Sequence, residues 1–204
     1  MNTNKIVLPP ELVVEFRRLE TRHNSNLVVE RTAFVALGPS LIRAFKKGTK
    51  RDVIPALLKI DLNRFAKCKS REEFRLFFED ELKKVYHALA LKPENIEKHG
   101  NGLKWGHATK ILCIYLRDLV LYSRYFDEET AKWLESLLYN LIDRVVMDRL
   151  RDLGVDPGAS GIKDIDTADK FWRLQRILDE AAKLANTIQI HFDDVQAEDL
   201  VEDS

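Results

Sequence analysis

Two ionisable residues stand where an apolar pattern leaves little room for charge. Lys110 borders the run Ile111-Leu112-Cys113-Ile114-Tyr115-Leu116 and is the last cation before Arg117. Asp143 interrupts the apolar positions that run from Leu137 to Met147. A lysine at the start of an apolar helix, in a partly desolvated pocket, has its charged form disfavoured, and a neutral amine is what a Schiff-base nucleophile needs. A lone carboxylate in apolar surroundings is costly without a partner. Pairing Lys110 with Asp143 would answer both demands. The same residues admit another arrangement, with Lys110 facing solvent at a helix start and Asp143 paired with Arg144 or Arg117.

Other chemistries find no support in the spacing. The five histidines, His23, His87, His99, His107 and His191, form no HxxxH or HExxH pattern, and no cysteine lies a helical turn from one of them. We therefore expect no metal site. Walker, nucleophile-elbow and dinucleotide fingerprints are absent, and no cofactor is expected. Cys68 and Cys113 cannot build a disulfide framework and read as reduced thiols.

The elements that must position Lys110 and Asp143 read as helices throughout. Eight Gly and six Pro in 204 residues argue against a turn-rich β architecture. A helix is predicted over Val28–Phe34, then Ser40 caps a turn from Leu41 to Lys47, and Gly48–Asp52 forms a basic loop. Ser70-Arg71-Glu72-Glu73 is a capping box opening a helix whose core face is Phe74, Phe77, Phe78, Leu82, Val85, Tyr86 and Leu89. A short turn of helix, Glu94 to Lys98, leads into His99-Gly100-Asn101-Gly102. Ile111 to Tyr122 is apolar on nearly every side, the mark of a central helix. Asp127 to Leu150 reads as one long helix, with Asp143 inside it. After a loop over 154–161, a final helix is predicted from Thr167 to about Ile190. The expected architecture is all-α: a compact orthogonal multi-helix bundle around a central apolar helix, with one helical domain over 1–192. Residues 193–204 form an acidic tail expected to be loosely packed.

Two segments carry a resemblance. The first is Gly100-Asn101-Gly102-Leu103-Lys104-Trp105-Gly106-His107-Ala108-Thr109-Lys110-Ile111-Leu112, a short helix, a glycine-bearing hairpin and a buried helix. The second is Ile142-Asp143-Arg144-Val145-Val146-Met147-Asp148-Arg149-Leu150-Arg151-Asp152-Leu153-Gly154. Together, over roughly residues 94 to 154, they resemble the helix–hairpin–helix DNA glycosylase superfamily. They are also similar to an unnamed group of bacterial helical proteins. The resemblance implies that Lys110 matches the Schiff-base lysine and Asp143 the assisting aspartate, with Arg149 and Leu153-Gly154 at the end of the second motif. The 33 residues from Lys110 to Asp143 exceed the usual gap, although an archaeal 8-oxoguanine branch has a long one. Hairpin amides at Gly102 and Gly106 would then face a DNA phosphate. Trp105 and Tyr139 are candidates for stacking on a flipped base.

Charge is distributed unevenly behind a net value of zero. From Arg43 to Arg71 ten basic residues face only Asp52 and Asp61, and Lys46, Lys47, Lys50 and Arg51 are its densest cluster. From Asp193 onward there are six carboxylates and no base. The expected partner is nucleic acid, DNA in preference to RNA. The alternative is a non-catalytic helical module whose basic face and acidic tail contact another protein or a second copy. No segment has the apolar length of a membrane span, and the polar start lacks a signal-peptide core, so the expected location is cytoplasmic. If the basic segment meets phosphates, log affinity falls with log salt at roughly −0.9 per phosphate neutralised on duplex DNA. Charge reversal of Lys46, Lys47 and Lys50 together then flattens the slope measured by fluorescence anisotropy. A slope unchanged by that variant removes the segment from the interface.

Overall fold

The apolar run that follows Lys110 is the second half of one 20-residue helix, Gly102–Leu121, of which 12 residues are buried. The computed structural model describes residues 9–14, 26–152 and 154–193, and among them the chain is all-α, with no strand. In chain order, after a helical stretch over 10–14, come α1 (Asn26–Val35), α2 (Pro39–Ile42), α3 (Thr49–Leu58), α4 (Leu62–Ala66) and α5 (Arg71–Ala88). Next are α6 (Pro93–His99), α7 (Gly102–Leu121), α8 (Glu128–Glu135), α9 (Arg144–Asp152) and α10 (Ala168–Leu184). Single 3-10 turns lie at Ile162–Asp164 and Gln189–Asp193. One cluster of buried side chains extends from Val29 to Ile190, and α7 crosses it. No helix among the described residues is long and apolar enough to cross a membrane.

Local sequence explains the better-predicted boundaries. Ser70 Oγ accepts from the Glu73 amide at 3.1 Å. The Glu73 carboxylate reaches back to the Lys69 amide at 2.8 Å, so the box closes one residue earlier than its usual form. Between α6 and α7 the chain turns at Gly100, whose φ of 61° and ψ of −161° suit only a residue without Cβ. That turn gives the expected helix, hairpin and buried helix.

Four expectations are corrected. Asp127–Leu150 is two helices rather than one. The intervening Leu137, Leu138, Tyr139, Leu141 and Ile142 are all buried. A helix one face of which meets solvent cannot bury so many consecutive side chains, whereas an extended segment enclosed by core can. The basic loop is shorter than predicted, because α3 already begins at Thr49 after Gly48 in a left-handed conformation. Ser40 lies inside α2, whose N-cap is Gly38 with no side-chain bond. The final helix stops at Leu184, short of the expected Ile190; Leu184 is 90% exposed, and Asn186 turns the chain at φ 55°. The acidic tail beyond residue 193, the stretch 15–25 and Leu153 lie outside the described residues.

One face of α7 is stripped for close approach. Gly102, Gly106 and Lys110 recur every four residues and so lie one above another. A Cβ built on Gly102 would meet the Asp166 Cβ at 2.5 Å. One on Gly106 would collide with the Ile162 carbonyl and lie 2.9 Å from that of Ile165. The chain over 162–166 therefore rests directly on the α7 backbone, and Lys110 emerges where that contact ends. Gly106→Ala gains helix propensity of about 1 kcal/mol but forces backbone from backbone. We expect a net loss of about 2 kcal/mol and a Tm lower by roughly 4–8 °C in a calorimeter. An unchanged Tm would show that the 162–166 segment yields freely.

Candidate active site at the Lys110–Asp143 pair

Asp143 ends the extended segment and begins α9. Its Oδ1 accepts from the Val145 amide at 3.0 Å and the Val146 amide at 3.3 Å. These are two of the first-turn donors that no helical carbonyl can satisfy, so Asp143 is the side-chain cap of α9. This placement corrects the expectation of a carboxylate inside a helix. The far end of α9 closes with the Gly154 amide on the Arg151 carbonyl and the Val155 amide on the Leu150 carbonyl, both at 2.8 Å. Those bonds form the Schellman pattern that a terminal Gly permits. The Gly154 of the second motif is thus a helix stop, and Arg149 lies partly buried along the helix.

The other oxygen, Oδ2, takes Lys110 Nζ at 2.9 Å. Lys110 lies two turns inside α7, not at its start, which corrects the idea that a helix N-terminus disfavours its charge. What confines it is the stripped face: Gly106 lets the 162–166 chain close over the preceding turn, leaving the Lys110 side chain 19% exposed. Asp143 is 30% exposed, so the pair is sheltered yet open on one side. Asp143 pairs with neither alternative arginine: Arg144 meets Asp148 at 3.3 Å and Arg117 meets Asp118 at 3.1 Å.

The open side is a cleft of about 740 Å³ between α7, α9 and the 160–163 turn. Its lining carries four cations, Lys110, Arg144, Arg151 and Lys163, against Asp143 and Asp148. Asp148 is held by Arg144 on one side and by Arg151 at 2.5 Å on the other. Arg151 also donates to the Ala159 carbonyl and so anchors the loop that forms the opposite wall. Val145, 45% exposed beside the cap, is an apolar point on an otherwise charged rim. Such a cleft offers an amine, a carboxylate fixed by two amides, and an excess of two positive charges over the two carboxylates.

Other predicted residues fall elsewhere. Lys46, Lys47 and Arg51 are exposed around the start of α3, and Lys50 lies over the Phe34 ring at 4.4 Å. None of the four lines this cleft. Arg64 and Arg71 also have partners within the chain: Arg64 pairs with Asp80 at 3.0 Å on the surface, and Arg71 bonds Gln189 and the Ser136 carbonyl. Gly102 is partly buried at the hairpin, and Gly106 is buried against Ile162, its surface used for packing. Trp105 and Tyr139 pack on Phe171, and Tyr139 also stacks on Phe74, so both belong to the aromatic core and neither lines the cleft. His107 is buried against the Leu103 carbonyl at 2.8 Å. Burial pushes its imidazole below the ordinary range, the carbonyl opposes that, and the Lys110 charge adds to it. Neither cysteine is in a disulfide, and no group of three potential metal ligands occurs among the described residues.

Arg151 and Lys163 were not singled out by sequence reasoning, and Arg144 was considered only as a partner for Asp143. Arg144, Asp148 and Arg151 sit at helical spacing on one face of α9, a signal present in the sequence. Lys163 comes from a separate loop, and nothing local marks it.

Asp143→Asn keeps a good capping side chain and loses only the charge toward Lys110. Asp143→Ala loses both. With the pair partly exposed, we expect a loss of about 2 kcal/mol for alanine and below about 1 kcal/mol for asparagine, read by urea unfolding. Equal losses would mean that the cap contributes nothing.

Comparison with protein-family models, with curated proteins and with solved structures gives no significant match to this chain.

Proposed function

We propose that the chain is a nucleic-acid-associated protein of helix–hairpin–helix glycosylase type, with Lys110 as nucleophile and Asp143 as its assistant. One observation carries the reading: Lys110 Nζ and Asp143 Oδ2 stand 2.9 Å apart at the edge of a cleft with a cationic rim. The hairpin at Gly100 and the capping position of Asp143 support it, since both belong to the arrangement that the two motifs imply.

The chemistry follows from the pair. An ammonium cannot attack, so Lys110 first passes a proton to Asp143, the acceptor already in contact with it. The amine lone pair then bonds to C1′ of a nucleotide turned out of the helix. The N-glycosidic bond breaks, its electrons leave with the base, and the base takes up the proton that Asp143 received. The C1′–O4′ bond then breaks as a proton passes from the adduct nitrogen to O4′, and the opened sugar is left joined to Lys110 as an iminium, the Schiff base. With that proton given up to the base, Asp143 is a carboxylate again, and its negative charge faces the positive iminium. Lys163, Arg144 and Arg151 would hold the flanking phosphates, and DNA is the proposed partner in preference to RNA.

Borohydride reduces an iminium to a stable amine, so the test is trapping on a duplex carrying one abasic site and on duplexes with single damaged bases. Wild type should give a covalent band, and Lys110→Gln should give none. Asp143→Asn should slow adduct formation by roughly 10²- to 10⁴-fold while changing DNA affinity little, because the carboxylate acts mainly in the transition state. A folded wild type that traps no DNA on any of these substrates would overturn the catalytic reading and leave an ion pair that merely ties α7 to α9.

A further inference from the structure

The extended segment that delivers Asp143 has no neighbouring strand to satisfy its buried backbone, yet buried amides and carbonyls must find partners. At Asn140, which is fully buried, the partner is a side chain. The Gln175 amide of α10 accepts from the Asn140 N–H at 3.1 Å and donates to the Asn140 carbonyl at 2.9 Å. One residue of strand pairing is thereby reproduced by a glutamine 35 positions away.

Gln175 is itself fixed. It is 3% exposed, and its Oε1 also accepts from Gln189 Nε2 at 2.8 Å. Gln189, 1% exposed, accepts in turn from Arg71 Nη1 at 2.8 Å. The other guanidinium nitrogen of Arg71 donates to the Ser136 carbonyl at 2.7 Å. Arg71 is further steadied by Asp179 at 3.6 Å, which Lys183 holds at 2.7 Å. The segment is thus gripped at Ser136 and at Asn140, from two helices and the C-terminal 3-10 turn. Three residues beyond the second grip lies Asp143, whose backbone position decides whether its oxygens reach both Lys110 and the first turn of α9.

We infer that Gln175 is a positioning residue for Asp143, acting through the backbone of Asn140 and supported by Gln189 and Arg71. Its effect on rate rests on the glycosylase reading; its effect on geometry does not.

The test compares Gln175→Leu, which keeps the volume and removes the pairing, with Ile177→Ala, which weakens the same helix and leaves the Gln175 amide in place. Hydrogen exchange followed by NMR reports the Val145 and Val146 amides that Asp143 caps. In Gln175→Leu these two amides should exchange at least tenfold faster than in Ile177→Ala, after correction for the global change seen at Leu112 and Leu116. Equal protection in the two variants would overturn the inference. On abasic-site DNA the single-turnover trapping rate of Gln175→Leu should fall about tenfold with its dissociation constant changed less than twofold. A rate equal to that of Ile177→Ala would likewise overturn it. If wild type traps nothing, the proposed function fails by itself, and the amide comparison still decides the positioning role. Should Gln175→Leu fail to fold, Gln189→Ala removes one support of the Gln175 amide and is read in the same way, with a smaller loss of protection expected at the same two amides.

Discussion

The Asp143 carboxylate divides its two oxygens between tasks that would otherwise need separate residues. Oδ1 completes the first turn of α9, and Oδ2 fixes the Lys110 amine. Because one planar group serves both, the start of α9 and the middle of α7 cannot move independently. The constraint reaches further on each side. Toward α7 it requires a backbone that can be covered closely, which Gly102 and Gly106 supply. Toward the chain before Asp143 it requires a rigid extended approach, which the Gln175 amide provides in place of a strand. The cleft exists because three elements, α7, α9 and the 160–163 turn, are held against a single charge pair.

Burial and charge are balanced in this arrangement. A fully enclosed lysine and aspartate would suffer desolvation without room for a ligand; a fully exposed pair would be screened and worth little. At 19% and 30% exposure the pair keeps part of the low-dielectric advantage while one side remains open. The surrounding arginines are not idle counter-charges. Arg151 joins Asp148 to the Ala159 carbonyl, so a rim cation also builds the wall.

How much of this could be read in the sequence depends on how local the cause is. The capping box at Ser70, the hairpin at Gly100 and the apolar second half of α7 are local, and their residues announce them. The pairing of Lys110 with Asp143 was legible because each breaks an apolar pattern. The division of Asp127–Leu150 into two helices was not, since periodicity cannot tell an enclosed extended run from a buried helix. What stops the helix is Asp143 acting as a cap, with Gln175 and Arg71 satisfying the backbone before it. Those partners are distant in sequence. The glycine spacing before Lys110 was visible but pointed toward phosphate, whereas Gly106 faces the Ile162 carbonyl. Its meaning depended on a segment over 50 residues downstream.

The proposed bond forms at one atom, Lys110 Nζ, and mass spectrometry of the reduced protein–DNA adduct locates it. After nuclease and protease digestion, the sugar remnant should map to the peptide containing Lys110 and to the Lys110 side chain within it. A remnant on Lys163, on the amino terminus or scattered over surface lysines would rule out Lys110 as the nucleophile, because the pair with Asp143 would then play no part in forming the bond.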